Sequence, residues 1–229
     1  MLGLDWCSHE TAVYACRRWY SRPEMPRGKL AKIGVREDGQ FKGVIIFGCG
    51  TGGVQMLGAK LGAGKFGTAE ICRIALRGHE TPLSRIIAIA CRMLHKAQPG
   101  LRLLLTYSDP SLGHHGGIYQ AAGWTYIGRS SAYFAYRDKA GVLHHSRNAS
   151  ASGLKRFYGK THAVVRTGDC EKVPLEPKHR YALGLDDEMR AKLREIAQQY
   201  PKRPKQTGDA AADLAEEGGS TPTRTLQIC

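Results

Sequence analysis

LRLLLTYSDPSLGHHGGIYQAAGWTYIG, residues 101–128, is the stretch from which the rest of this chain can be read. Leu101, Leu103, Leu104 and Leu105 make the short unbroken apolar run of a strand covered on both faces. Asp109-Pro110 stops it, because proline offers no amide to a ladder and restrains the residue before it. Asp109 therefore stands at the end of a strand, and crevices beyond the carboxyl ends of strands are where open α/β sheets hold ligands. A glycine-rich turn follows. Ile118, Tyr119, Ala121 and Ala122 then make a short helical piece that Gly123 can close, and Trp124 to Ile127 begins a second strand.

Upstream, Thr81 caps and Pro82 opens a helix with Leu83, Ile86, Ile87, Ala90 and Leu94 at helical spacing and Arg92, His95 and Lys96 at its end. Residues 68–76 read as a strand in which Ile71, Arg73 and Ala75 alternate with Cys72, Ile74 and Leu76. Arg73 is a charge in an otherwise apolar strand. An unpaired buried guanidinium is costly, so its expected partner is Asp109, Glu70 or a ligand anion. Residues 48–67 carry eight glycines, which predicts an irregular loop, either a mobile lid over a substrate or a plain surface connector. Gly48-x-Gly50-x-x-Gly53 satisfies the dinucleotide pattern by letter, but no helix is expected after it and no strand-helix-strand unit surrounds it. Lys65-Phe66 fails likewise as a Walker loop. Residues 30–36 and 41–47 read as strands joined through Asp38-Gly39, two positions that tolerate positive φ. Ser8 caps a helix to Tyr20, with Ala12, Val13, Cys16 and Trp19 on one side and Arg17 and Arg18 near its C-terminus.

Downstream, residues 130–136 and 142–145 flank Asp138-Lys139-Ala140-Gly141 as a second hairpin, and residues 157–166 continue a basic region. Tyr133, Phe134, Tyr136, Phe157 and Tyr158 interleave there with Arg and Lys, the pairing that stacks bases while holding phosphates, although a sheet core consumes such rings equally well. Asp186 caps a helix to Tyr200 with Met189, Leu193, Ile196 and Tyr200 as its stripe, and residues 201–229 have the composition of a disordered tail.

At 229 residues the chain can bury a real core, in one domain with appendages or at most two. No apolar run is long enough to span a membrane, and MLGLDWCSHE is too polar for a signal peptide, so the expected location is the cytoplasm. Seven cysteines, an odd number without C-x-x-C spacing, read as reduced thiols and not as a zinc site. The net charge is +14, and residues 129–180 supply eleven basic against four acidic side chains, whereas the tail from Pro201 is neutral. A basic face of this kind is the electrostatic footprint of nucleic-acid binding, against the alternative of a solvated basic surface, and Arg147, Lys155, Arg156 and Lys160 are the candidate DNA contacts.

The order strand, acid, short helix, Gly-Trp, strand in residues 101–128 resembles the second half of the GNAT acyltransferase fold. That resemblance implies an α/β (α+β) chain with a mixed central sheet flanked by helices, and gives Tyr119 the place of the general acid toward the leaving group. SDPSLGHHGGIYQAAGW and CRIALRGHETPLSRI, at residues 108–124 and 72–86, resemble the phage Mom family of DNA-modifying proteins over roughly residues 10–150. That family attaches a carbamoylmethyl group to N6 of adenine, protecting phage DNA from restriction. The expected organisation is a GNAT-like catalytic core over residues 1–135, a basic hairpin extension over 136–182, a C-terminal helix over 183–200 and a disordered tail over 201–229.

The resemblance also implies roles. Asp109 would orient or deprotonate the N6 amine of a flipped adenine, Tyr119 would protonate the leaving group and Tyr20 would shape the base pocket, which requires Asp109 and Tyr119 to face one cavity. Arg73 and Ser84 would bind the donor, with Ser21, His114 and His115 beside them. Trp19-Tyr20-Ser21 stands where the family carries His-Tyr-Ser, so the family histidine is missing, and a metal such as iron is left open without support in the sequence. In GNAT enzymes the turn feeding the helix that Pro82 opens here holds the pyrophosphate of acyl-CoA on backbone amides, but Arg77 to Ser84 has one glycine, an acidic Glu80 and Pro82 with no amide. The donor is thus either glycyl-tRNA or an acyl-CoA, and the partners expected are double-stranded DNA and, for the first donor, a tRNA. Two alternatives remain: an acetyltransferase acting on a protein or small amine, and a non-catalytic DNA-binding protein.

Overall fold

The computed structural model describes residues 1–20, 24–64, 66–157 and 159–202, without the side chain of Phe157. Ser21, Lys65, Tyr158 and residues 203–229 of the tail expected over 201–229 lie outside the described residues. The elements run β1 (Leu2–Trp6), α1 (His9–Trp19), β2 (Leu30–Glu37), β3 (Gln40–Gly48), α2 (Gly52–Lys60), β4 (Thr68–Leu76), α3 (Leu83–Ala97), β5 (Leu103–Ser108), α4 (Gly117–Ala121) and β6 (Thr125–Arg129). There follow β7 (Tyr133–Arg137), β8 (Leu143–His145), β9 (Ala149–Ser150), β10 (Leu154–Phe157), β11 (Lys160–Ala163), β12 (Val165–Arg166), β13 (Glu171–Leu175), β14 (His179–Gly184) and α5 (Asp187–Glu195). The chain divides into two compact units, one of Met1–Arg129 with the described part of Lys178–Thr221, the other of Ser130–Pro177.

The first unit is a mixed seven-stranded sheet in the order β1-β2-β3-β4-β5-β14-β6 with helices on both faces, the α/β class expected. Period-two alternation assigns the faces. Ile45 and Phe47 of β3 join Ile86, Ile87, Ala90 and Leu94 of α3, whereas Val44 and Ile46 join Ala12, Ala15 and Cys16 of α1. On β5, Leu104 belongs with α3, while Leu103 and Leu105 pack with Val54 of α2 and Met189 and Leu193 of α5. Burial on both faces is why the leucine run shows no alternation. The β2–β3 turn is Asp38 at φ 50° and Gly39 at φ 77°, as its sequence predicts.

Four expectations need correction. Residues 52–60 are a helix and not an irregular loop: Val54 and Gly58 are buried, and a Cβ at Gly58 would lie 1.9 Å from Thr68 Oγ1, so that glycine serves close packing instead of flexibility. A helix therefore does follow the Gly48 pattern, and what excludes a Rossmann site is that β3 and β4 pair antiparallel. Helix α3 starts at Leu83 behind an N-cap Pro82, not a Thr81 cap. Helix α5 stops at Glu195, and the Tyr200 hydroxyl instead reaches back to donate to Trp124 O at 2.7 Å. Finally, the boundaries at 135 and 182 move to 129 and 177, because His179–Gly184 is a strand inserted between β5 and β6, paired antiparallel to both. Arg102, just ahead of β5, holds this return in place by gripping the Asp186 carboxylate at 2.7 and 3.1 Å and Glu188 at 2.7 Å.

In the second unit the expected hairpin forms, with β7 pairing β8 and also β13, and β10 pairs β11.

Gly43 gives a direct test of the sheet. Its φ is +129°, and a Cβ there would lie 1.9 Å from the Ala75 carbonyl oxygen of β4. Gly43→Ala is expected to cost roughly 3 kcal/mol, read as a lowered denaturant midpoint with unchanged m-value.

Candidate functional site

The sheet opens between its two parallel strands. β4 and β5 pair only through Thr68↔Leu103, Ala69↔Leu104 and Glu70↔Leu105, although β4 continues to Leu76 and β5 to Ser108. Beyond Glu70 and Leu105 the two strands part into a fork at their carboxyl ends, the position favoured for ligands in α/β sheets.

Tyr119 reaches this fork from α4. It is 7% exposed, packs its ring on Trp124 and Tyr181 with centroids 5.5 Å away in each case, and hydrogen-bonds the side chain of Thr106, the first residue of β5 past the pairing. Burial drives its phenol pKa well above the usual range, against the smaller opposing effect of Thr106, so the hydroxyl keeps its proton at neutral pH. Nearby Tyr20 and Glu70 also act on it electrostatically, which brings them to the same region.

Arg73 comes from β4. Its guanidinium carbon lies 4.7 Å from the centroid of the Tyr20 ring, and Nη1 donates to Cys72 O at 2.8 Å. Its Nε is buried and has no hydrogen-bond partner among the described residues. The alternation of β4 and the presence of Ile46 opposite Arg73 put this side chain on the α1 face, where Tyr20 also packs. A planar cation stacked on a phenol, with a donor left over, is a device for holding a carboxyl, carbonyl or phosphate oxygen. Cys72 beside it is not a nucleophile candidate, since burial pushes its thiol up to about 12.

Asp109 is differently engaged. It accepts from the Ser111 amide at 3.2 Å and hydroxyl at 2.6 Å, and Lys178 Nζ lies 2.9 Å from its other oxygen. Burial raises its pKa, but the hydrogen bonds from Ser111 and Lys178 outweigh that and hold it below the ordinary carboxylate value. Its backbone is extended at φ −98°, ψ 107°, so the alternation of β5 continues through it. That places Asp109 on the face of Leu105 and Tyr107, whereas Tyr119 meets Thr106 on the face of Leu104. Asp109 thus reaches the end of β5 from the face opposite Tyr119, where it caps the turn and ties it to Lys178, just ahead of β14. Position along the sequence could not reveal this, because Lys178 is remote in the chain.

The other candidates scatter. His114 and His115 are held by their backbones: Ser108 Oγ donates to His114 O at 2.9 Å, and the Tyr181 hydroxyl donates to His115 O at 2.6 Å. Ser84 is half-buried in the first turn of α3. In the second unit, Arg147 and Lys160 are exposed, Arg156 Nε donates to Gly159 O at 3.3 Å, and Lys155 is spent on the carbonyls of Ser146 and Ala149 at 3.2 and 3.3 Å. Lys172 Nζ rests 4.0 Å from the Phe134 ring centroid, a cation-aromatic pair on β7 and β13. No group of three or more His, Cys, Asp or Glu side chains able to hold a metal occurs among the described residues, nor is any helix there long and apolar enough to cross a membrane.

Glu37 was missed by sequence reasoning, and its place in a hairpin gave no signal of its role. Its two carboxylate oxygens accept from the amides of Glu80 and Thr81, both at 2.7 Å, and the Thr81 side chain adds a further bond. These bonds hold its pKa down from 4.5 to about 2. A depressed carboxylate stabilises the fold above its unfolded pKa, and that contribution is lost as pH falls through the folded value. Stability should therefore decline between pH 4.5 and 2, and Glu37→Gln should flatten that decline relative to the parent in denaturant titrations across the same range.

Among solved structures, similar chains include acetyltransferases and an N-acyl amino acid synthase. The aminoglycoside acetyltransferase AAC(6')-Ib in complex with coenzyme A and kanamycin matches at TM-score 0.44 and 14% identity, covering 57% of this chain and 88% of its own. An IAA acetyltransferase from Bacillus cereus matches at 0.43 and 13%, covering 81% and 100%. FeeM, an N-acyl amino acid synthase from uncultured soil microbes, matches at 0.42 and 14%, covering 84% and 96%. No curated protein sequence matches the chain. The family model of the Mom proteins, in contrast, matches residues 1–202, and with nearly the whole described chain inside that match the protein belongs to the Mom family.

Proposed function

We propose that this protein is an acyl-transferring enzyme that modifies N6 of adenine in DNA, ending in a carbamoylmethyl group. The observation that carries the reading is the fork between β4 and β5, with a stacked, donor-bearing Arg73 on one side and a proton-retaining Tyr119 on the other. Membership of the Mom family supports a DNA adenine as the substrate, the reading that the family resemblance implies. Adenine N6 is paired inside the duplex, so the base is flipped out, its unstacking offset by stacking on aromatic rings and by phosphate contacts. The Ser130–Pro177 unit, with eight basic against four acidic side chains, provides phosphate contacts through exposed Arg147, Arg156 and Lys160.

In the reaction we infer, the N6 lone pair attacks the carbonyl carbon of a glycyl ester whose oxygen is held by Arg73, and the carbon–oxygen ester bond breaks. Tyr119 gives its proton to the departing oxygen and regains one from the amine that attacked. The free amine of the attached glycyl group then adds to ring carbon C6, closing a five-membered ring, and the original C6–N6 bond opens. The result is an isomer of the glycyl amide, with the carbamoyl group at the far end. An aminoacyl-tRNA is the donor that fits this sequence of bonds. Asp109 acts at a distance here, as a positioning residue that fixes the turn between β5 and α4.

Mass spectrometry of nucleosides from bacteria expressing the full chain tests the reading. A deoxyadenosine heavier by one glycine residue is expected. Unmodified DNA combined with turnover of coenzyme A on an amine would replace this reading with an acetyltransferase, and DNA binding without either product would leave a binding protein.

A further inference from the structure

The turn between β4 and α3 is where an acyl-CoA enzyme of this architecture would seat a diphosphate, on backbone amides at the positive end of a helix. In this chain the two amides just ahead of that helix end, those of Glu80 and Thr81, are already taken. The carboxylate of Glu37, the last residue of β2, bridges the Glu80 and Thr81 amides at 2.7 Å on each oxygen. Glu37 is 6% exposed, so the carboxylate is enclosed with its partners. His79 braces the same turn by a 2.8 Å contact between Nδ1 and Thr81 O, and Pro82, the N-cap, has no amide to add.

We propose that Glu37 is a built-in anion that fills the amide cradle ahead of α3, closing it to a diphosphate, so that this chain takes an acyl donor that is not held by coenzyme A's pyrophosphate. The two carboxylate oxygens stand where two phosphate oxygens would lie. A tethered carboxylate competes with a free ligand at an effective concentration set by the fold, in the millimolar range or above, and it would remain beside any entering diphosphate as a like charge. Expelling it would also break charge-assisted hydrogen bonds and leave a buried carboxylate unpaired. The role of Glu37 is that of a positioning residue: it fixes the entry of α3 with an internal ligand where a cofactor would otherwise do so. This inference concerns the cradle alone and is independent of the nucleophile that the enzyme modifies.

The test titrates coenzyme A and inorganic pyrophosphate, at millimolar concentration, into the full-length protein and into Glu37→Ala and Glu37→Gln, following heat of binding, melting temperature and amide exchange at Glu80 and Thr81. The parent should bind neither probe through these amides. Glu37→Ala should bind pyrophosphate, gaining melting temperature and amide protection that the parent does not gain. Should Glu37→Ala fail to fold, Glu37→Gln, which keeps the volume and loses the charge, serves the same comparison. Saturable binding to the parent with protection of the two amides would overturn the proposal, as would a folded variant that stays indifferent to both probes. Absence of modified deoxyadenosine in cells, by contrast, counts against the adenine reading and leaves this result standing.

Discussion

Arg73→Ala should lower modification of deoxyadenosine by about 10²- to 10³-fold, the loss expected when a preorganised donor to a developing oxyanion is removed. The expectation follows from the way this cation is spent. One nitrogen binds Cys72 O at 2.8 Å, the plane rests 4.7 Å from the Tyr20 ring centroid, and the buried Nε has no described partner. A structural arginine would have all its donors satisfied within the fold. Deleting a half-buried, partly unsatisfied cation also relieves its desolvation, so the melting temperature of the variant should hold close to that of the parent. Arg73→Lys keeps the charge but not the planar, stacking fork, and should recover only part of the activity. DNA affinity should be unchanged in both. Equal activity in Arg73→Ala and the parent, with the fold intact, would remove the carbonyl-binding role and with it the proposed chemistry.

Tyr119→Phe comes next, with an expected fall of about 10²- to 10⁴-fold in the rate of acyl transfer. The substitution removes one oxygen from a ring that is otherwise held by Trp124 and Tyr181, both at 5.5 Å between centroids. The hydrogen bond lost to Thr106 is worth about 1 kcal/mol of stability, too little to unfold the protein. Tyr119→Ala, which also deletes the buried ring, should cost about 3 kcal/mol or more and report on folding instead. Burial raises the phenol pKa, so activity should not fall through deprotonation of Tyr119 as pH rises from 7 through 9, and a fall in that range that Tyr119→Phe abolishes would contradict its place as a buried acid. Donor hydrolysis in the absence of DNA, measured in the same variant, separates loss of proton donation from loss of adenine binding.

Much of the architecture was legible locally. The leucines of β5, the helical spacing of α3, the Asp38-Gly39 turn and the Ser8 cap each depend on residues a few positions apart, and each forms as its local chemistry requires. Tyr119, Tyr20 and Arg73 were also recognisable as candidates, the last because a charge within an apolar strand demands a partner. The second helix was missed since glycine content was read as flexibility, when Gly58 in fact answers the close approach of Thr68.

What residue order could determine was the local elements, the basic region and the family, because propensity, period and motif are properties of neighbouring residues. Which side chains meet was decided by long-range pairing. β14 returns from beyond residue 177 to lie between β5 and β6, Lys178 reaches Asp109, and Glu37 reaches amides more than forty positions away. Strand alternation then assigned Asp109 to one face and Tyr119 to the other, and the early end of the β4–β5 ladder opened the fork. Such contacts are selected by the burial of a whole sheet on both faces, a free energy that no single segment of the chain carries.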